Sequence, residues 1–312
     1  MVRLLILSKL ADEYRCLIEA ASLPEIEITA TNNVADAKSA GADCEVVFGE
    51  PSLIREVLPA LKNLRWVQAT WAGVEPLLDP TLRRDYLLTN ARGVFGGLMS
   101  EYVFGYLLAY ERRIFERQQA QREHRWDGRV TGVVRGKTIG LLGVGSIGSH
   151  LARTAKDFGM TVCGYTRASE TCTDVDVYYH GNSLLDFANG LDYLVSVLPN
   201  TSETRRIVDA SVLAALPPYA LFINVGRGSA LDESALVHAL ETKMIAGAVL
   251  DVFEQEPLPR NHPFWDMPNL LVTFHTSAPS LPADLAELFI ANCRRYLKGD
   301  ELMYRVDFER GY

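Results

Sequence analysis

A glycine-rich turn limits the possible folds of this chain more than any other feature. Residues 143–148 read Gly-Val-Gly-Ser-Ile-Gly. They lie between an apolar segment at 138–142, which predicts a strand, and a segment at 146–158, which predicts a helix. A further apolar segment at 160–165 completes a strand–helix–strand unit. In this setting the turn predicts a dinucleotide-binding domain.

Each glycine of the turn has a physical role in that interpretation. Gly143 permits the tight turn, Gly145 lets the backbone approach a pyrophosphate, and Gly148 lets the helix lie close to the sheet. The backbone N–H groups of Ser146 and Ile147, in the first helical turn, would face the anion. The alternative is a glycine-rich turn in another kind of α/β protein.

Strand and helix patterns alternate along the chain in two series. The first series predicts strands at 3–8, 25–29, 45–48, 66–70 and 86–90, and the second at 138–142, 161–165, 193–198, 221–225, 246–252 and 270–274. Strands separated by helices predict parallel sheets that are covered on both faces. The predicted fold class is therefore α/β, with two doubly wound lobes, a Rossmann cofactor domain and a flavodoxin-like substrate lobe, and a cleft between them.

A long helical pattern at 98–121 predicts one helix that connects the lobes. A last helix is predicted at 281–297, ended by Gly299, and the extended tail at 305–308 is expected to return to the first lobe. The predicted domains are therefore a discontinuous substrate lobe, residues 1–96 with 278–312, and a cofactor domain, residues 97–277.

Composition excludes several classes of protein. The net charge of −8 provides no basic surface for nucleic acid or an anionic membrane. The apolar run at residues 2–8 is short and is followed by charged residues, so it predicts a strand rather than a secretion signal or membrane anchor. The five scattered cysteines and the histidines show no disulfide or metal-ligand pattern, so no metal is predicted. A cytoplasmic protein is expected.

The end of the second strand of the cofactor domain indicates which dinucleotide binds. An acidic residue at this position usually holds the ribose 2′-hydroxyl of NAD. Thr166 and Arg167 stand there instead. Because no carboxylate repels a 2′-phosphate and an arginine can pair with one, the sequence favours NADP. The alternative is that Arg167 is an ordinary surface arginine and that the cofactor is NAD with one contact missing.

Two strand ends carry candidate catalytic side chains. Arg227 follows the strand at 221–225, and a guanidinium can hold a carboxylate with two parallel hydrogen bonds. His275 follows the strand at 270–274 and could act as general acid in reduction and general base in oxidation. Structural roles are the alternative for both residues. The other histidines, which lack such a position, are predicted to be structural: His124, His150, His180, His238 and His262.

Carboxylates after the strand at 246–252 could keep His275 protonated. Glu256 is preferred because Pro257 stiffens its loop, and Glu254 is the competitor. Asp251 would either bind the nicotinamide amide or cap the strand.

These motifs together resemble the D-isomer-specific 2-hydroxyacid dehydrogenases, most closely the short members that include glyoxylate/hydroxypyruvate reductases. The resemblance is carried by residues 143–148, 198–201 with Thr204, 224–228, 251–257, 262–265 and 275–278. The first lobe matches mainly in layout, through residues 71–74 and 100–101. The chain departs from the family pattern in two places. Phe274 stands where a proline usually precedes the catalytic histidine, and the family's NAD-binding aspartate is missing at the end of the second strand of the cofactor domain.

The resemblance implies a set of site residues and a homodimer. It implies the catalytic triad Arg227, Glu256 and His275. The glycine turn, Thr166 and Arg167 are already predicted to contact the cofactor. The resemblance implies further cofactor contacts at Leu198, Pro199, Thr204, Asn224, Val225, Gly226, Asp251 and Ser277. Substrate contacts are implied at Trp71, Ala72, Gly73, Val74 and Arg227.

The expected activity is NAD(P)H-dependent reduction of a small 2-oxo acid, of the glyoxylate or hydroxypyruvate type, to a D-2-hydroxy acid. The alternative is a nucleotide-sensing protein that uses the same fold without significant turnover.

Overall fold

The computed structural model describes residues 1–311, which form two compact units. Unit 1 contains Met1–Val94 together with the segment that starts at Ser280, and unit 2 contains Phe95–Pro279. The units divide after residues 94 and 279, where the sequence predicts 96 and 277, and the predicted domain bounds stay a prediction.

Unit 1 is built on a parallel sheet of five strands in the order β2-β1-β3-β4-β5. This is the flavodoxin-like order, as predicted. The strands are β1 (Val2–Leu7), β2 (Ile26–Thr31), β3 (Val46–Gly49), β4 (Trp66–Ala69) and β5 (Leu87–Thr89). The helices are α1 (Ala11–Ala20), α2 (Val34–Ala40), α3 (Pro51–Val57) and α10 (Pro282–Lys298).

The last helix of the chain packs on the first sheet through aromatic rings. The fully buried Phe289 of α10 stacks on Phe48 with ring centroids 4.7 Å apart and on Trp66 with centroids 5.4 Å apart. Burial of a phenylalanine side chain contributes roughly 1.5–3 kcal/mol. Gly299 ends α10 in the left-handed conformation, as predicted. The tail then returns to β5, where Val306 N donates to Leu88 O at 2.8 Å.

Unit 2 is built on a parallel sheet of seven strands in the order β12-β11-β10-β9-β6-β7-β8. The strands are β6 (Thr138–Leu142), β7 (Thr161–Tyr165), β8 (Val177–Tyr179), β9 (Tyr193–Ser196), β10 (Leu221–Asn224), β11 (Gly247–Leu250) and β12 (Leu270–Val272). The helices are α4 (Gly96–Glu111), α5 (Ile114–Arg122), α6 (Ser146–Asp157), α7 (Leu184–Ala188), α8 (Ala210–Ala215) and α9 (Glu233–Glu241). Counted from β6, this is the Rossmann order 3-2-1-4-5-6 with one strand added beyond the sixth.

The sequence prediction of six strands in this sheet is wrong by one. The missed strand, β8, has only three residues and lies at the edge of the sheet. It follows the polar segment at 166–176, and its side chains are exposed or half-buried, so no alternation of buried and exposed residues marks it.

The prediction of one helix over 98–121 is also wrong. The chain breaks at Arg113, whose φ of 54° is left-handed, and separates α4 from α5. The buried Glu111 at the end of α4 binds Lys137 Nζ and Tyr193 Oη, both at 2.7 Å. These bonds hold the end of α4 against the base of the sheet, while α5 continues along the surface. Since no glycine or proline marks the break, sequence pattern alone does not reveal it.

Candidate active site

The glycine turn joins β6 to α6 with the geometry of a phosphate-binding site. Gly143 has a φ of 95°, which a side chain would strain, and its N–H donates to Tyr165 O at 3.0 Å. A Cβ on Gly148 would lie 2.2 Å from Gly143 O, so only glycine lets α6 start this close to the turn. A Cβ on Gly145 would meet nothing within 4 Å.

The start of α6 is suited to an anion. No side chain caps the helix at Gly145, so the backbone N–H groups of the first turn, those of Ser146 and Ile147 among them, remain available to a ligand. Open space at Gly145, uncapped donors and the helix dipole fit the pyrophosphate of a dinucleotide.

Leu198 lies between the glycine turn and the turn that follows β10 and carries Arg227, here called the Arg227 turn. Its Cδ2 would lie 3.2 Å from a Cβ on Gly143, and its backbone N and O would lie 2.7 Å from a Cβ on Gly226. The next segment is held by Thr204, whose hydroxyl donates to Pro199 O at 2.6 Å. These predicted cofactor residues therefore lie together at the carboxyl edge of the sheet.

The side-chain amide of the buried Asn224 stabilises the Arg227 turn. Asn224 is fully buried; its Nδ2 donates to Arg227 O at 3.0 Å and its Oδ1 accepts from Gly226 N at 3.2 Å. Val225 is buried beside it. Arg227 Nη1 donates to Gly226 O at 2.8 Å. The Asn224 side chain thus supports the backbone that carries the guanidinium.

The Arg227 turn lies directly against the loop that carries Glu256. A Cβ on Gly228 would lie 1.9 Å from Phe253 C and 2.4 Å from Glu254 N, so the two backbones touch. Glu256 Oε1 accepts from Phe253 N at 3.0 Å, which folds the carboxylate back over its own loop.

Glu256 also contacts His275. Its Oε2 lies 2.8 Å from His275 Nδ1, and the imidazole Nε2 makes no hydrogen bond within residues 1–311. Glu254, the competing acid, instead binds Arg205 at 3.3 Å and Arg206 at 3.5 Å. The half-exposed imidazole therefore has one nitrogen held by a carboxylate and the other open to a ligand.

Asp251 organises the loop that contains His275. Fully buried, its carboxylate accepts from Thr273 Oγ1 at 2.5 Å and from the backbone N–H groups of Thr276 and Ser277 at 2.9 Å each. Its carbonyl accepts from His275 N at 2.8 Å. His275 has a φ of 56°, a strained value for a side-chain-bearing residue. The sequence left two roles open for Asp251, and in the structure its carboxylate holds this loop.

Phe274, which replaces the usual proline, is largely exposed. Its ring stacks on Trp265 with centroids 6.2 Å apart, and Trp265 Nε1 donates to Pro259 O at 2.8 Å. The substitution therefore leaves His275 in contact with Glu256.

Thr166 and Arg167 lie at the carboxyl end of β7. Thr166 is buried and its hydroxyl donates to Ser169 O at 2.7 Å. Arg167 is exposed, with its Nε 3.3 Å from Glu203 Oε2. The polar end of β7 thus carries a buried hydroxyl and an exposed guanidinium.

The predicted substrate residues Trp71, Ala72, Gly73 and Val74 form a loop after β4 in unit 1. Ala72 O accepts from Asn90 Nδ2 at 2.8 Å, and Trp71 O accepts from Ala91 N at 3.0 Å. Val74 is buried, and Trp71 is partly exposed.

Sequence reasoning did not single out two polar residues that shape these loops, Asn90 and Thr273. Both lie just beyond strand ends, which is a usable signal. His180, which the sequence predicts to be structural, follows the unpredicted strand β8. Within residues 1–311 no group of three or more histidines, cysteines and acids could hold a metal ion, and no helix there has the length and apolar content to cross a bilayer.

Comparison with known proteins identifies relatives of this chain. A family model described as D-isomer specific 2-hydroxyacid dehydrogenase, NAD binding domain, matches residues 104–277. A glyoxylate/hydroxypyruvate reductase A from Photorhabdus laumondii is 33% identical over 279 residues, which cover 87% of this chain and 88% of that protein.

Solved structures agree over nearly the full length. A D-isomer specific 2-hydroxyacid dehydrogenase family protein from Aeromonas salmonicida superposes with a TM-score of 0.93 at 42% identity, covering 98% of this chain and 99% of that one. An NADPH-dependent glyoxylate/hydroxypyruvate reductase from Sinorhizobium meliloti, solved with NADP and sulfate, has a TM-score of 0.88 at 27% identity and covers 100% of both chains.

Proposed function

This chain belongs to the D-isomer specific 2-hydroxyacid dehydrogenase family, and on that premise we propose that it reduces small 2-oxo acids of the glyoxylate or hydroxypyruvate type to D-2-hydroxy acids. The sequence resemblance to this family is thereby confirmed, and the chain is an oxidoreductase. The preferred cofactor is NADPH, and NADH is the alternative.

One observation carries the proposal. The contacts run without a gap from the glycine turn through Leu198 to the Arg227 turn, and from Gly228 to the loop whose Glu256 binds His275. A site for a dinucleotide, a guanidinium and a carboxylate-bound imidazole therefore share one edge of the sheet. Such an arrangement is suited to reducing a keto acid.

The side chains divide the chemistry between them. Arg227 would hold the substrate carboxylate through its guanidinium and steady developing negative charge. When bound, the dinucleotide supplies the hydride. His275 Nε2 would give a proton to the keto oxygen, while Glu256 holds Nδ1 and orients the ring. Asp251 would keep the histidine loop in place.

The preference for NADPH is supported by the end of β7. Thr166 is neutral and Arg167 is cationic, so nothing at these two positions repels a 2′-phosphate. The Sinorhizobium meliloti relative, an NADPH-dependent reductase solved with NADP, has the same fold.

A homodimer is part of the proposal. Apolar side chains of α5 and the following loop are exposed, with relative exposures of 51% for Ile114, 49% for Phe115, 95% for Trp126 and 93% for Val130. A surface of this kind is typical of an association face. The cytoplasmic location stays a prediction.

The direct test is a panel of 2-oxo acids assayed in parallel with NADPH and NADH. Turnover of glyoxylate or hydroxypyruvate with NADPH preferred is expected. Tight binding of NADPH without turnover of any acid would instead favour a nucleotide-sensing protein.

Two glycine substitutions should separate cofactor binding from folding. Gly145→Ala places a methyl group in open space, so stability should be unchanged while the Kd for NADPH rises at least about tenfold, since backbone can no longer approach the pyrophosphate. In Gly148→Ala the added Cβ would lie 2.2 Å from Gly143 O, so this variant should also have a lower melting temperature. Fluorescence titration and thermal unfolding measure both effects. Equal affinities for NADPH in Gly145→Ala and the wild type would contradict the assignment.

Substitution of Arg227 should act on substrate binding. Arg227→Ala is expected to raise KM for the oxo acid by about 10- to 100-fold with a smaller change in kcat, because charge-assisted hydrogen bonds to the carboxylate are lost. Arg227→Lys keeps the charge but not the planar fork and should recover part of the loss. Arg205→Ala, which removes an exposed guanidinium bound to Glu254, is the control. A KM unchanged in Arg227→Ala would rule out the carboxylate role.

A further inference from the structure

The loop that follows β7 is closed by a histidine that directly follows the neighbouring strand, β8. β7 and β8 run parallel, with Tyr165 opposite Tyr179, so both strands end side by side. Thr166 N donates to Tyr179 O at 3.1 Å. His180, the first residue after β8, thereby lies beside Thr166.

His180 has a polar partner at each ring nitrogen. Nδ1 lies 2.9 Å from Thr166 O and 3.1 Å from Thr166 Oγ1, and Nε2 lies 2.7 Å from Glu170 Oε1. The ring is parallel to that of Tyr178, at 6.2 Å between centroids. Only the imidazolium can donate to the carbonyl and the carboxylate together. The hydrogen bond to Glu170, followed by that to Thr166 O, raises the pKa of His180.

Few charged groups act on this histidine. Glu170 faces it from the loop, and Tyr178 faces it from β8 as a neutral phenol, because burial raises its pKa. Arg167, next to Thr166, is 3.3 Å from Glu203. The charge of the His180–Glu170 pair therefore changes by one unit when the imidazole loses its proton.

We propose that His180 and Glu170 form a pH-dependent element that sets how strongly this chain prefers NADP(H) over NAD(H). The inference rests on the proposed function, since it assumes that the ribose 2′ position lies at the end of β7. With His180 protonated, the pair is neutral and holds the loop closed around Thr166. With His180 neutral, Glu170 keeps an uncompensated negative charge that repels a 2′-phosphate but does not repel a 2′-hydroxyl.

The sign of the pH dependence follows. Preference for NADPH should be highest below the raised pKa of His180 and fall as the pH rises through it. The 2′-phosphate itself gains its second negative charge at about pH 6, which strengthens both its pairing with Arg167 and its repulsion by an uncompensated Glu170. Pairing with Arg167 alone would raise the preference with pH, so a fall requires the repulsion by Glu170.

The experiment measures binding without turnover. Dissociation constants of NADPH and NADH are determined by fluorescence titration between about pH 6 and 9, a range that brackets histidine titration. The ratio Kd(NADH)/Kd(NADPH) is the readout. Since both dinucleotides have the same nicotinamide end, effects at that end of the site cancel in the ratio.

Two variants with opposite expectations test the pair. His180→Gln should lower the ratio at low pH by roughly two- to fivefold, the effect usual for the loss of one partly exposed charge interaction. It should also abolish the fall of the ratio with pH. Glu170→Gln should raise the ratio at high pH by a similar factor. In both variants the NADH affinity and the melting temperature should equal those of the wild type, which is the control for folding. If His180→Gln does not fold, the result for Glu170→Gln alone tests the proposal.

The same pH dependence of the ratio in the wild type and both variants would overturn the inference. That outcome is distinct from a failure of the proposed function, which would appear as an absence of turnover in the substrate panel. A chain that binds both dinucleotides but reduces no acid would still report the ratio.

Discussion

Replacement of His275 by asparagine is expected to lower kcat for reduction of a 2-oxo acid by about 10²- to 10⁴-fold, the usual contribution of a positioned general acid. Asparagine is chosen because it tolerates the left-handed backbone at this position, where φ is 56°. The Asp251 bonds to the loop should persist, so the Kd for NADPH and the melting temperature should not change. Steady-state kinetics, fluorescence titration and thermal unfolding provide the three measurements.

A matched control exists in the chain. His124 is exposed and has a φ of 53°, so His124→Asn makes the same chemical change in the same backbone conformation. Its kcat should equal that of the wild type. If His275→Asn retained the kcat of the parent, His275 would not be the proton donor, whatever its contact with Glu256.

Replacement of Gly228 by alanine is expected to lower the free energy of unfolding by about 3 kcal/mol, the upper end of what overpacking usually costs. The added Cβ would lie 1.9 Å from Phe253 C and 2.0 Å from Phe253 O. These are backbone atoms, which cannot rotate away as a side chain could. Because the contact seats the Arg227 turn against the Glu256 loop, the remaining folded protein should also show a raised KM.

Urea unfolding of Gly228→Ala beside Gly105→Ala tests this expectation. A Cβ on Gly105, within α4, meets nothing within 4 Å, so that variant should be unchanged or more stable by roughly 0.5–1 kcal/mol. If both variants unfolded at the urea concentration of the parent, the close packing of the two loops would be refuted.

Much of the fold was predictable because its signals are local. The turn from Gly143 to Gly148 lies between an apolar strand and a helix, and the family assignment follows from a few such segments. The predictions failed where local signals are weak. β8 has three partly exposed residues, and the break at Arg113 depends on Glu111 reaching Lys137 and Tyr193.

The amino-acid sequence by itself determined the two parallel sheets and the residue types at their strand ends, because alternation of apolar segments encodes strands and helices within a few residues. Only the tertiary structure decided which of those side chains meet. Glu256, which the sequence favoured over Glu254, reaches His275; the Asp251 carboxylate holds the histidine loop, and His180 closes the loop after β7. The direction of a side chain beyond a strand end depends on loop backbone and on contacts with segments distant in sequence, which no local pattern records.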